Sequence, residues 1–175
     1  LGRLNTDYID LYQIHRFRDA TPMDETLRTM DDLITQGKVR YIGGSCGGPG
    51  AWKLMKALNI SDSRGYQRLV SLQPAYSIVN RSAEAEWMPL CIEEGLGVIP
   101  YSPLGRGFLT GKYVRDEEPP KGSRGENDSQ LADFMSQDRC WNVLDVVREI
   151  VDERGKSVAQ VSLNWVLHQP GVTAP

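Results

Sequence analysis

In GVIPYSPLGRGFLTGK, residues 97–112, a flat aromatic (Tyr101), a hydroxyl (Ser102) and two cations (Arg106, Lys112) stand among two prolines and the glycines at 105, 107 and 111. The prolines fix φ and remove backbone donors, while the glycines permit positive φ and close backbone approach. Val98 and Ile99 are β-forming, so the stretch is a strand that empties into a turn. Such a turn suits a flat ring beside a phosphate-rich tail. Alone, it reads more simply as an ordinary β-to-α connection. The other apolar runs add weight, because each ends in a polar group: His15 after YIDLYQI, Ser45 and Cys46 after VRYIGG, and Gln73 after LVSL.

What must position these groups is an alternation of strands and helices. Residues 8–14 read as a buried strand. In TPMD, Thr21 is expected as the N-cap of a helix, with Pro22 in its first turn and an acid, Asp24, at the third position. Met23, Leu27, Met30 and Ile34 then recur at helical spacing, and Gly37 closes the helix. Residues 39–43 form the next strand, 52–58 a short helix and 69–72 a further strand. Residues 82–94 are helical in composition, but Pro89 requires a late start or a kink. The polar segment 114–137 is too long for a simple connection and reads as a mobile, lid-like loop or as locally disordered. Cys140, Leu144, Val147 and Val151 mark another helix. Ser157 with Gln160 forms a capping box for the last one, and residues 171–174 resemble the start of a strand.

This alternation implies a parallel sheet with right-handed crossovers. A doubly wound sheet would carry GxGxxG after its first strand, and none is present. Polar groups at every strand exit favour a barrel, whose chemistry sits at the carboxyl ends of several strands. Four strands and the start of a fifth do not close a barrel of about 250 residues. The expected fold is therefore α/β, a partial TIM-type (β/α)8 barrel, with residues 1–175 as one incomplete domain of a longer protein.

A net charge of −3 gives no reason to expect nucleic acid or anionic lipid as a partner. No apolar run approaches the roughly 20 residues of a membrane helix. The three cysteines and two histidines are too scattered for a disulfide framework or a metal site, which suggests reduced thiols in a cytoplasmic setting.

TDYIDLYQIHR, QGKVRYIGGS, RLVSLQPAYSIVNR and GLGVIPYSPLGRGFLTGKY resemble, in order and spacing, successive segments of the aldo-keto reductases. The branch that includes the potassium-channel β-subunits is the more similar. The resemblance covers the whole chain and implies a barrel that binds NADP(H) without a Rossmann motif and reduces an aldehyde or ketone. The strands present would be about the fourth to the start of the eighth. On this resemblance His15 orients the substrate carbonyl by donating a hydrogen bond, which neutral imidazole can do. Ser45 and Gln73 bind the nicotinamide carboxamide, and Tyr101 stacks on the nicotinamide. Ser102, Leu104, Gly105 and Arg106 follow the pyrophosphate, and Lys112 and Arg124 are cations near the phosphates.

Two features depart from the family pattern. Cys46 replaces the usual Asn, Ser or Arg, and the GGPG after it is longer than usual. The proton-donating Tyr, its Lys partner and the nearby Asp belong to the first three strands, and nothing here corresponds to them. The leading expectation is thus part of an NADPH-dependent carbonyl reductase. A cofactor-binding regulatory subunit and an inactive truncated product are the alternatives.

Overall fold

A computed structural model of the chain describes residues 1–17, 20–45 and 50–175. Cys46, together with residues 47–49 of the GGPG loop, lies outside the described residues. The rest divides into two compact units: Leu1–Pro74 with Glu84–Ile99, and Ala75–Ala83 with Pro100–Pro175.

The first unit is built on a four-stranded parallel sheet. Its strands are β1 (Ile9–Ile14), β2 (Val39–Ser45), β3 (Leu69–Gln73) and β4 (Gly97–Val98), in the order β1-β2-β3-β4. Neighbours in sequence are neighbours in space, with no reversal of strand order. A doubly wound sheet reverses its order and a barrel does not, so this is the sheet of a partial barrel. Helices α1 (Met23–Thr35), α2 (Trp52–Arg64) and α3 (Trp87–Glu93) make the connections. Ile42, Leu72, Leu27, Leu54 and Leu58 are fully buried and form the apolar interior of this unit.

Several local expectations need revision. Thr21 does not cap α1. Pro22 holds the N-cap position and no side chain bonds there, because Thr21 lies one residue too early. Asp24 and Glu25 still occupy the first turn, where carboxylates oppose the helix dipole favourably. Helix α2 runs six residues past Leu58 to Arg64, with Ser61 fully buried on its packed face. Of the two options for residues 82–94, the late start holds. Pro89 sits in the first turn of α3, where a missing N–H costs nothing.

One row across the sheet bears on the site. Gln13 pairs in register with Gly43, Gly43 with Ser71, and Ser71 with Gly97. A Cβ added to Gly43 would overlap Ser71 Oγ and come within 3.2 Å of Gln13 Cγ. Ser71 Oγ and Gln13 Oε1 are both buried without a hydrogen-bond partner. Gly43→Ala is therefore expected to destabilise the protein by about 1–3 kcal/mol, the usual cost of overpacking. Thermal unfolding measures it, and Ser71→Ala in the same background should recover part of the loss.

The second unit holds 3-10 turns at Gly105–Thr110 and Arg124–Glu126, and the helices α4 (Ser129–Met135), α5 (Asp138–Arg154) and α6 (Val158–Leu167). Segment 114–137 thus contains a helix of its own. Leu131 of α4 is buried with Phe108, Leu109, Tyr113, Trp141 and Leu144 in one apolar cluster. The capping box at α6 is present: Gln160 N–H donates to Ser157 Oγ, and Gln160 Oε1 accepts from Ser157 N–H. Of residues 171–174 only Val172 makes a β-bridge, so the expected strand is reduced to a single bridging residue. Gly171 takes φ +81°, and Val172 N–H closes a turn on the Gln169 carbonyl at 3.2 Å. No helix among the described residues is long and apolar enough to cross a membrane.

Candidate functional site

Three of the sequence-derived residues lie at the carboxyl edge of the sheet. His15 follows the last residue of β1 and is exposed. Its neighbour Ile14 pairs with Gly44, which puts His15 level with Ser45, while Ser45 pairs with Gln73. The alternation of side chains along a strand sets all three on the same face as Gln13, Gly43 and Ser71, one step further out.

Ser45 is 6% exposed, and its hydroxyl donates to the Gln73 backbone carbonyl at 2.9 Å. The one donor of the hydroxyl is thereby used inside the protein, leaving acceptor lone pairs for a ligand. That suits an incoming N–H2 and opposes an incoming carbonyl oxygen. The Gln73 side chain brings both a donor and an acceptor beside it. Cys46 falls outside the described residues.

The second unit gathers Tyr101, Ser102, Gly105 and Arg106. They line one cavity of about 310 Å³, along with Gln130, Asp133 and Arg139. Tyr101 is anchored through its backbone, whose carbonyl accepts from Tyr76 N–H at 3.3 Å, and the residue is 39% exposed. The chain beyond it is unusually strained. Ser102 and Arg106 take φ +55° and +58°, which non-glycine residues rarely adopt. Leu104 at φ −96°, ψ 21° followed by Gly105 at φ +55° is a right-then-left-handed alternation. The turn closes on itself: Gly105 N–H donates to the Ser102 carbonyl at 2.9 Å and Gly107 N–H to the Leu104 carbonyl at 3.0 Å, so its polar contribution to the cavity comes from side chains. Gly105 is required for space as well, since a Cβ there would stand 3.0 Å from Val79 Cγ2.

The remaining expected contacts are placed differently. Leu104 packs against the apolar cluster of this unit. Lys112 is exposed, with its ammonium 5.1 Å from the centre of the Tyr113 ring. Arg124 does not line the cavity, but its Nε is 3.8 Å from Asp128 Oδ2, and Asp128 also bonds Arg106. The paired guanidinium holds the Asp128 carboxyl below the usual carboxylate range, helped by the Leu131 and Gln130 N–H groups, and the carboxylate in turn raises the Arg106 pKa. Sequence reasoning missed Asp128. Its only local signal was Asp-Ser-Gln-Leu, an N-cap residue ahead of the apolar Leu131, Phe134 and Met135 at helical spacing.

Comparison with known proteins adds a separate line of support. The family model described as the Aldo/keto reductase family matches residues 1–175. The uncharacterized oxidoreductase YrpG of Bacillus subtilis is 37% identical over 175 residues, covering 100% of this chain and 51% of the relative. The versiconal hemiacetal acetate reductase of Aspergillus parasiticus is 33% identical over 168 residues, covering 96% and 48%. Among solved structures, the glycerol dehydrogenase of Gluconobacter oxydans superposes with a TM-score of 0.78 at 33% identity, covering 99% of this chain and 50% of that one. The chain spans about half the length of the relatives it matches.

Proposed function

Because this chain belongs to the aldo/keto reductase family, we propose that it is part of an oxidoreductase that reduces an aldehyde or ketone with NADP(H). One observation carries the cofactor assignment. The turn over residues 102–107 brings the Arg106 guanidinium, held by Asp128, into the wall of the same cavity as the exposed Tyr101.

The residues present fit such a cofactor. Ser45 offers acceptors to a carboxamide N–H2, and Gln73 supplies the complementary amide. The Tyr101 ring offers a flat face, and Arg106 is a cation held in place beside it in the sequence. Bound, the nicotinamide supplies the hydride. The protein's own contribution is positional: His15 donates a hydrogen bond to the substrate carbonyl oxygen, so that charge developing there meets a fixed donor. Residues 1–175 are taken as one incomplete barrel domain, and Lys112 and Arg124 as outer cations that draw phosphate toward the turn. We also read a reducing, cytoplasmic setting from Cys91 and Cys140, both buried and free. Burial pushes the Cys91 thiol up to about 11, so it stays protonated and unreactive near neutral pH.

Titrating NADPH against tryptophan fluorescence tests the reading, using the protein expressed with any flanking reading frame. A saturable signal is expected. Arg106→Ala should weaken it about 10- to 100-fold, the range for losing a charge-assisted hydrogen bond. If the variant titrates like the parent, the phosphate assignment is wrong.

A further inference from the structure

Asp128 joins two cations that the sequence keeps apart. Its Oδ1 and Oδ2 accept from Arg106 Nε at 2.9 and 2.8 Å, and Oδ2 accepts from Arg106 Nη2 at 2.6 Å. Arg124 Nε also lies 3.8 Å from Oδ2. Oδ1 also accepts the N–H groups of Gln130 and Leu131, both at 3.1 Å, and so caps α4. The Asp128 side chain is only 10% exposed. Its acceptor capacity is spent on these partners, and two guanidinium groups against one carboxylate leave the cluster with excess positive charge.

We propose that Asp128 is a positioning residue for cofactor phosphate. It fixes the Arg106 guanidinium at the cavity wall and holds Arg124, from segment 114–137, outside the cavity but within 4 Å of the same carboxylate. The role rests on the reading of Arg106 as a phosphate contact given above.

Two effects compete at this carboxylate. Its negative charge opposes an incoming phosphate, while its grip on Arg106 removes the need to order a long side chain on binding. The grip wins for two reasons. The charge is already compensated by two guanidinium groups within 4 Å, and the cavity's other charged lining residues, Asp133 and Arg139, are of opposite sign, so formal charge around the site stays positive. The bidentate fork also fixes the plane of Arg106, which a lone guanidinium at an exposed turn would not keep.

A purely structural role as helix cap is separable, because Asn caps a helix as well as Asp does. The test titrates NADPH and NADH against tryptophan fluorescence in the parent, Asp128→Asn, Arg106→Ala and the double variant. Thermal unfolding without nucleotide is followed in parallel, and Asp128→Ser repeats the test with a second capping side chain. Asp128→Asn should keep its helical signal yet weaken NADPH about 3- to 10-fold, the scale of immobilising one rotamer-rich side chain. In the Arg106→Ala background the same change should do nothing further, since the two residues act as one unit. Equal fold-losses for NADH locate the contact at the pyrophosphate; a loss confined to NADPH locates it at the 2′-phosphate. Binding as tight as the parent or tighter in Asp128→Asn, or a full additional loss in the double variant, overturns the role of Asp128 alone. Unchanged binding in Arg106→Ala overturns the phosphate reading and this role with it.

Discussion

Replacing His15 by alanine is expected to lower kcat for carbonyl reduction about 10²- to 10³-fold, the loss measured elsewhere when one preorganised donor to a developing oxyanion is removed. The expectation follows from placement. His15 is the first residue beyond β1, level in register with Ser45, and exposed at the carboxyl edge where barrel chemistry occurs. Alanine removes the donor without disturbing a buried contact, so stability and NADPH binding should change little while turnover falls. Glutamine retains an N–H donor of similar reach and should recover part of the rate. The measurement is steady-state turnover of a simple aldehyde by the protein with any flanking reading frame. A His15→Ala enzyme with unaltered kcat would falsify the assignment.

A second large effect is expected at Phe108, through stability and not chemistry. Phe108 belongs to the turn that carries Arg106 and is fully buried, with its ring edge-on to Trp141 at 4.9 Å and 70°. It staples the strained backbone of residues 102–107 to α5. Truncating a buried phenylalanine costs about 3–5 kcal/mol, a large fraction of the 5–15 kcal/mol that holds a domain folded. Phe108→Ala should therefore shift the urea midpoint sharply and abolish saturable NADPH binding, although Phe108 reaches no ligand. Phe108→Leu, which keeps most of the volume, should cost much less. An unchanged midpoint in Phe108→Ala would show that the turn does not depend on this anchor.

The contrast between these residues also explains what could be read from the sequence. His15, Ser45 and Gln73 were legible because a strand's alternation is local, and a polar residue that ends an apolar run announces its edge. The barrel-type sheet followed from those strand exits and from the missing glycine signature. Residues 102–107 were legible as a special turn because proline and glycine punctuate it, although the positive φ at Ser102 and Arg106 left no mark in composition. Helix α4 was missed because seven residues inside a long polar segment show barely two turns of apolar spacing. Asp128 was missed for a different reason: its partner Arg106 lies 22 residues away, and only folding brings a carboxylate to that guanidinium. Thr21 was misassigned because a cap one residue early looks identical in sequence.

The row of Gln13, Gly43, Ser71 and Gly97 has a consequence for how much bulk the sheet accepts at this edge. Every second position in that row is bare backbone, directly beneath the strand exits that carry His15, Ser45 and Gln73. A Cβ at position 43 would project on the face that carries these residues, against Ser71 Oγ and Gln13 Cγ. Any added bulk at position 43 is limited by how much crowding around Ser71 and Gln13 the sheet tolerates.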